Sequence, residues 1–443
     1  MPCNQNQTGT CSTAEGFNTT SSGPSSHAEG TNSVASGNAS HAEGGNTHAD
    51  GEASHSEGIG SIASSPAAHA EGYQTKASGN ASHAEGGNTI ASGSAAHAEG
   101  QDTKAIANAA HAEGYQTAAT KDSAHAEGAL TQATAESAHA EGVSTIASGN
   151  GSHAEGYATI ANKDAAHAEG TTTTASGVAA HAEGSQTTAS GNASHAEGIG
   201  TLANGESSHA EGLNTSAGGF AGAHIMGRNG TAQEAYSWFI GNGTSSNAHG
   251  LGAKWLASTG NMHVDGAFVP GGADYAELFE TIDGKPIEPG YFVSVVRKKI
   301  RYSSSDDDYI VGITSATPGI IGDSGEMHWQ KKYLTDKWGR VQYREVTLSV
   351  HTDDSERGLI PGRTELHPVL NPNWDPQQEY VPRLKRPEWV AVGLLGKLLV
   401  RDDGTCEPNS YCRPNHAGIA TRASSGYRVL ERTDEDQILV LFR

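Results

Sequence analysis

The chain has 443 residues, a formal net charge of −22, 35% apolar residues and 57 glycines. It is too poor in large apolar residues for membrane-spanning helices, and its four cysteines are too few for a disulfide-built scaffold. The acid excess sits in the first 218 residues, which hold 22 acidic and 4 basic side chains; this argues against nucleic acid as a partner and for a solvated surface.

The opening stretch Met1-Pro2-Cys3-Asn4-Gln5 has no basic n-region and no apolar segment. It reads as a tail, residues 1–12, of a protein made in a cytoplasm without a signal peptide, with no membrane insertion, that reaches its place by assembly or lysis. Cys3 and Cys11 are candidates for a cross-link to a neighbouring assembly.

From residue 13 one tetrapeptide governs the chain. His-Ala-Glu-Gly begins at His27 and recurs every fourteen residues to His209, varied only at His55-Ser56-Glu57-Gly58; a degenerate copy, Thr13-Ala14-Glu15-Gly16, precedes it. Uniform spacing without insertion means one unit stacked on itself. Within the unit, Ser-His-Ala-Glu-Gly and Thr-x-Ala alternate with period two, and Gly, Asn and Ser between them supply turns. A helical repeat needs a longer unit and a face of Leu-sized residues, which are missing. Residues 13–218 are therefore expected to form about fifteen coils of a narrow, parallel, mainly β solenoid. Its interior is filled by Ala, Ser, Thr and Gly, and at ~4.8 Å per coil its length is on the order of 70 Å.

The pattern Ala-Ser-His-Ala-Glu-Gly-x-x-Thr-x-Ala-Ser-Gly-Asn resembles the head repeat of trimeric autotransporter adhesins, a left-handed parallel β-roll that assembles as a homotrimer. In that family two aliphatic residues stand where His and Glu stand in this chain, and they face the other subunits. The resemblance thus implies an interface ladder of His27 and Glu29, His41 and Glu43, His83 and Glu85, His97 and Glu99, His111 and Glu113, His153 and Glu155, His195 and Glu197, His209 and Glu211. A carboxylate taken from water needs a donor, and a His two residues away projects from the same face, so intersubunit His-Glu hydrogen bonds are expected. The alternative is that both side chains face solvent. His-x-Glu without Cys or a third ligand is a weak metal signal, so no metal and no cofactor is expected. The Thr rank at Thr89, Thr103 and Thr117 would serve an ice- or glycan-binding module only as an exposed array.

The repeat breaks at Ala217-Gly218-Gly219-Phe220, and the first clustered large apolar residues follow, among them Ile225, Met226, Trp238, Phe239 and Trp255. Residues 219–266 are read as a cap and neck, with a carbohydrate platform on Trp238 and Trp255 as the sharper alternative. Gly260-Asn261-Met262-His263-Val264-Asp265-Gly266 resembles the short β segments that precede terminal domains in phage fibres.

Residues 267–443 have the composition of an ordinary mixed, β-rich domain, with strand-like runs at Tyr291–Val296 and Gln437–Phe442. The acids Asp306, Asp307, Asp308 and Asp323 read as solvated loops. Cys406 and Cys412 could close a small loop or remain free thiols. Gly272-Ala273-Asp274-Tyr275-Ala276-Glu277-Leu278-Phe279-Glu280, Ile310-Val311-Gly312-Ile313-Thr314, Trp329-Gln330-Lys331-Lys332-Tyr333, Asp336-Lys337-Trp338-Gly339-Arg340 and Tyr427-Arg428-Val429-Leu430 look like the C-terminal intramolecular-chaperone, self-cleaving domain of phage pre-neck appendage and tail-spike proteins, classed with glutamic-type peptidases. The resemblance implies a scissile bond between Ala273 and Asp274, with Glu277 as the principal catalytic carboxylate and Asp274 beside it. One carboxylate to activate water and a protonated group to assist the leaving amine suit such a pair. Where the family has Ser before the Asp, this chain has Ala273. Asp274 and Glu277 could equally form a hydrogen-bonded turn in an uncleaved domain.

Together these readings describe a homotrimeric fibre or spike whose C-terminal domain sets the register of nearly identical coils, since each coil could otherwise pair one period out of place. It would end on a virion tail or on a cell or spore surface. A permanent, non-catalytic receptor-binding module for a glycan or a cell surface is the alternative.

Overall fold

The structure, a computed structural model, describes residues 4–325, 331–348 and 363–443; Cys3, Trp329 and Gln330 lie outside these. The chain divides into two compact units, Met1–Ala267 and Phe268–Arg443. No helix among the described residues is long and apolar enough to cross a membrane.

In the first unit each fourteen-residue repeat makes one coil of a parallel β-solenoid. The coil that starts at His83 shows why. His83–Gly87 and Ile90–Ala91 are its two strands, and each pairs in parallel, in register, with the strand fourteen residues away, His83 with His97 and Ile90 with Lys104. Ala84, Thr89, Ala91 and Ala96 point inward and are buried, while His83 and Glu85 stand half-buried on the outer face of the longer strand. The interior is too thin for anything larger. Three residues per coil turn the chain with positive φ, namely Gly86 at +101°, Asn88 at 55° and Ala95 at 55°. Glycine is required at the first: a Cβ on Gly86 would stand 2.1 Å from the Gly100 carbonyl oxygen of the next coil. Thr89, Thr103 and Thr117 are interior residues, buried to within 1%, so they form no exposed array and the ice-binding reading falls.

The solenoid runs to about 17 turns rather than fifteen, because His224–Arg228 and Trp238–Asn242 continue the parallel stack after a one-residue insertion near Gly218. In these two turns the inward Ala becomes Ile225 and Phe239, both buried, and the thin interior closes on large side chains. Leu251–Leu256 then pairs antiparallel with Trp238–Asn242, and Asn261–Val264 pairs antiparallel with it in turn, which ends the parallel stacking.

In the second unit Asp274–Thr281 pairs antiparallel with the first half of the long strand Trp389–Arg401 and parallel with Lys299–Tyr302. Phe292–Val296 joins Lys299–Tyr302 to Gly312–Thr314, and the last of these returns to Trp389–Arg401, so five strands close a ring around Ile287, Val293, Ile300 and Val392. The second half of Trp389–Arg401 leaves the ring and pairs with Gln437–Phe442, which continues through Tyr427–Asp434 and Tyr411–Pro414 to Ala420–Ala423. Phe292, Val400, Val429, Ile438 and Val440 fill the core beside that layer. Tyr343–Leu348 and Arg363–Pro368 form a separate hairpin. One 3-10 turn, Arg383–Lys385, is the only helical element among the described residues, so the mixed domain is almost wholly β.

Candidate functional site

The outer face of the solenoid carries a continuous column of imidazoles. From His27 to His209 successive rings stack 4.6 to 4.9 Å apart and within 12° of parallel; His224 tilts by 38° and Trp238 covers the end at 5.7 Å. The spacing is that of the coils, imposed by the parallel ladder. Glu stands two residues on, and the pairing changes along the rod. From His27–Glu29 to His139–Glu141 each His Nε2 lies 3.4 to 4.0 Å from the Glu of its own coil. From His167 onward the partner is the Glu of the preceding coil, as in His167–Glu155, His181–Glu169, His195–Glu183 and His209–Glu197. Glu155, Glu197 and Glu211 thus pair with the imidazole of the following coil, His167, His209 and His224. Of these contacts only His181 with Glu169, at 3.2 Å, is a hydrogen bond; the Nε2 atoms of His27, His83, His153, His209 and their equivalents are screened from water within the chain and unpartnered.

Five imidazoles of the column resist protonation. Burial, and next the neighbouring imidazoles, hold His83, His111, His139, His167 and His209 below the ordinary histidine value. Glu155, where the pairing switches, is pushed up to about 7 by burial and by hydrogen bonds with Glu169 and Glu141. His41, Glu43 and His55, and similar groups, bring donor atoms within 4.8 Å of one another. The stacked rings, 4.6 to 4.9 Å apart, stand wider than the ~3.4 Å between two ligands of one tetrahedral zinc ion.

The second candidate site is the Ala273–Asp274 bond. Residues 267–273 have no regular structure, Phe268 and Val269 are 72% and 86% exposed, and Asp274 is the first residue of the strand that enters the five-stranded ring. Period-two alternation separates the two expected carboxylates. Asp274 faces inward with Ala276 and Leu278, only 7% exposed, and its Oδ2 has no hydrogen-bond partner. Glu277 lies on the outer side with Tyr275, whose hydroxyl donates to its Oε1 at 2.7 Å and is thereby made less acidic. Within one chain Asp274 and Glu277 are thus neither an acid pair nor a hydrogen-bonded turn; an extended strand sends residues three apart to opposite faces.

A cleft of about 690 Å³ opens beside residues 271–274, bounded also by Glu288, Thr314, Lys397, Arg401 and Asp436. Thr314 ends a stretch already quoted for the resemblance, and the other four were not singled out from the sequence. They come from distant segments and share no motif, so only the register of the long strand assembles them. Gly396, with φ +126°, lets that strand approach: a Cβ there would stand 2.4 Å from the Ala273 carbonyl oxygen. On the other side the Gly319 amide donates to the Asp274 carbonyl at 2.9 Å.

The remaining candidates fall out as follows. Trp238 and Trp255 are cross-strand partners and 67% and 38% exposed. Asp307 is no solvated loop residue: Arg301 at 2.6 Å, the Ser294 hydroxyl and the Ser304 amide hold its carboxylate well below the usual range. Asp323 is paired with Arg383, whereas Asp306 accepts only from the neighbouring Ser305 hydroxyl, at 3.4 Å, among the described residues. Cys406 and Cys412 are buried free thiols, and the hydrogen bond between them, with burial, makes Cys406 far less acidic than a free thiol. Cys11 is exposed.

Residues 226–437, just under half of the chain, match the family described as Peptidase_G2, IMC autoproteolytic cleavage domain. A pre-neck appendage protein of Bacillus phage B103 is 35% identical over 175 residues, covering 39% of this chain and 19% of that protein. The putative phage-related protein YobO of Bacillus subtilis is 34% identical over 185 residues, covering 41% of this chain and 22% of that protein. Among solved structures, a C-terminal fragment of the bacteriophage phi29 gene product 12 is matched over its whole length and 38% of this chain, at 33% identity and a TM-score of 0.32. The chain spans about a fifth of the length of the curated relatives it matches. Over residues 226–437, then, this chain is similar to the IMC autoproteolytic cleavage domain family, and over 175 to 185 residues to phage pre-neck appendage and phage-related proteins of Bacillus.

Proposed function

We propose that this chain is a structural component of a phage-type virion appendage: a homotrimer whose His-Glu faces pack together, and whose C-terminal domain drives trimerisation, sets the register and is cut from the rod between Ala273 and Asp274. The observation that carries the reading is the position of that bond, at the end of the irregular connector between two compact units and inside the stretch similar to an autoproteolytic domain. Cutting there takes only residues 268–273, which have no regular structure, from the second unit. The half-buried column of imidazoles and carboxylates, repeated at the coil spacing, supports the interface reading, because a second copy in register repeats the same spacing.

In the proposed reaction water adds to the Ala273 carbonyl, the C–N bond breaks, Ala273 leaves as a carboxylate and Asp274 as a new amino terminus. The Asp274 carboxyl, next to the leaving nitrogen, is the candidate proton donor. Four residues along an extended strand span ~13 Å, so Glu277 of the same chain is out of reach, and Glu277 of a second copy is proposed to activate the water. The test is the intact mass of freshly purified protein beside unboiled and boiled gel samples. Two fragments that meet at Ala273 and Asp274, and a whole chain in Glu277→Gln, are expected; an uncut wild-type chain that migrates as a trimer refutes the cleavage and leaves the C-terminal domain permanent.

The paired, exposed Trp238 and Trp255 favour a second reading, a glycan- or surface-binding module. It predicts binding to cell-wall polysaccharide that is lost in Trp238→Ala.

A further inference from the structure

We infer that Lys397 supplies the positive charge that stabilises the oxyanion formed at Ala273 during cleavage, an assignment that rests on the self-cleavage reading above. Three observations converge on it. The ladder between the two strands ends at Asp274 with Gly396; Ala273 precedes Asp274 and Lys397 follows Gly396, so the two residues flank the last pair. Ala273 and Lys397 also line the same cleft. Gly396, the residue before it, has no side chain to hold the strands apart, and its Cα region abuts the Ala273 carbonyl oxygen that becomes the oxyanion.

The cleft beside residues 271–274 holds two cations and two carboxylates apart from Asp274, namely Lys397, Arg401, Glu288 and Asp436. Arg401 is committed: its Nε donates to the Pro289 carbonyl at 3.0 Å and its guanidinium lies over the Tyr291 ring. Lys397 is exposed, stands across from Leu441 in the ladder, and makes no hydrogen bond or ion pair among the described residues. An ammonium on a flexible four-carbon stem, in the cleft that the scissile residue lines, is suited to meet charge that appears only when water adds. As the tetrahedral oxyanion collapses, the C–N bond breaks and the amine takes a proton; Lys397 itself gains and loses none.

The test follows cleavage of the full chain after a synthesis pulse, by intact mass, with trimer formation read on unboiled gels. Removing one such donor is expected to slow cleavage by about 100-fold or more in Lys397→Met, with assembly unchanged, and Lys397→Arg should restore most of the rate. To keep a folding defect from imitating the result, uncut Lys397→Cys protein is purified natively and aminoethylated, which rebuilds a cation of nearly lysine length; cleavage then resumes. Wild-type cleavage together with equal rates in Lys397→Met overturns the assignment alone, as does failure of aminoethylation to restart a folded precursor. An uncut wild-type chain overturns the self-cleavage reading and the assignment with it.

Discussion

Substituting Gly86 by Ala tests the packing of the rod at its tightest point. The new Cβ meets the Gly100 carbonyl oxygen at 2.1 Å, more than 1 Å inside ordinary contact, and the obstacle is backbone that cannot rotate away. The residue must also hold φ +101°, a conformation that L side chains rarely adopt. Backbone strain of about 1–3 kcal/mol and overpacking of about 1–3 kcal/mol together make about 2–6 kcal/mol. The two coils separate or the turn remodels, and the in-register pairs from His83 and His97 to Gly87 and Gln101 weaken. Stacked coils are coupled mainly to their neighbours. Amide exchange of the intact protein should therefore accelerate by about 30-fold or more around residues 83–101 and remain unchanged around residues 27–45. Gly87→Ala is the internal control, since the nearest atom to its added Cβ is Gln101 Cγ at 4.0 Å and its φ is not positive. Equal protection in Gly86→Ala and Gly87→Ala would refute the argument.

The interior threonines give a second test. The Oγ1 atoms of Thr89, Thr103 and Thr117 are buried without a partner, whereas the Ser33 hydroxyl donates to the Gly44 carbonyl at 3.1 Å. Replacing the three threonines together by Val should leave the melting temperature unchanged or raise it, and Ser33→Ala should cost about 1 kcal/mol; a large loss in the Val variant would mean that the hydroxyls are bonded after all. Protonation provides a third. Histidines held below 6.5 bind fewer protons folded than unfolded, so the stability tied to His83, His111, His139, His167 and His209 is present above pH 6.5 and is lost as pH falls below it. Glu155 acts in the opposite sense: it keeps its proton up to about 7 while the unfolded chain releases it near 4.5, so its contribution is present at low pH and lost as pH rises through that window. Melting followed from pH 7.5 to pH 5 should show a steeper acid loss in Glu155→Gln than in the wild type, and a shallower one when His83 and His111 are both replaced by Gln. Identical slopes in all three would remove titration of the ladder as a source of stability.

The repeat itself determined the solenoid. With period two inside a fixed unit of fourteen, and nothing larger than Thr at the inward positions, no other packing buries Ala84, Thr89 and Ala91 while leaving His83 and Glu85 on one outer face. The proposal for the Ala273–Asp274 junction has a different source, the resemblance of its local sequence to that of a known domain. What the sequence did not disclose lies between coils or between distant strands. The two turns beyond Ala217 lack the tetrapeptide, and only parallel pairing with the preceding coil reveals His224–Arg228 and Trp238–Asn242 as further turns. The partner of each ladder glutamate depends on a side-chain choice between the imidazole of its own coil and that of the next, which spacing leaves equal. Asp274 and Glu277, three apart in sequence, look like neighbours until the strand is extended and turns them to opposite faces. Lys397 and Ala273, 124 positions apart, line one cleft only because antiparallel pairing sets Gly396 against Asp274. Local periodicity is written in the chain; which strands meet, and in what register, is decided by the free energy of the folded whole.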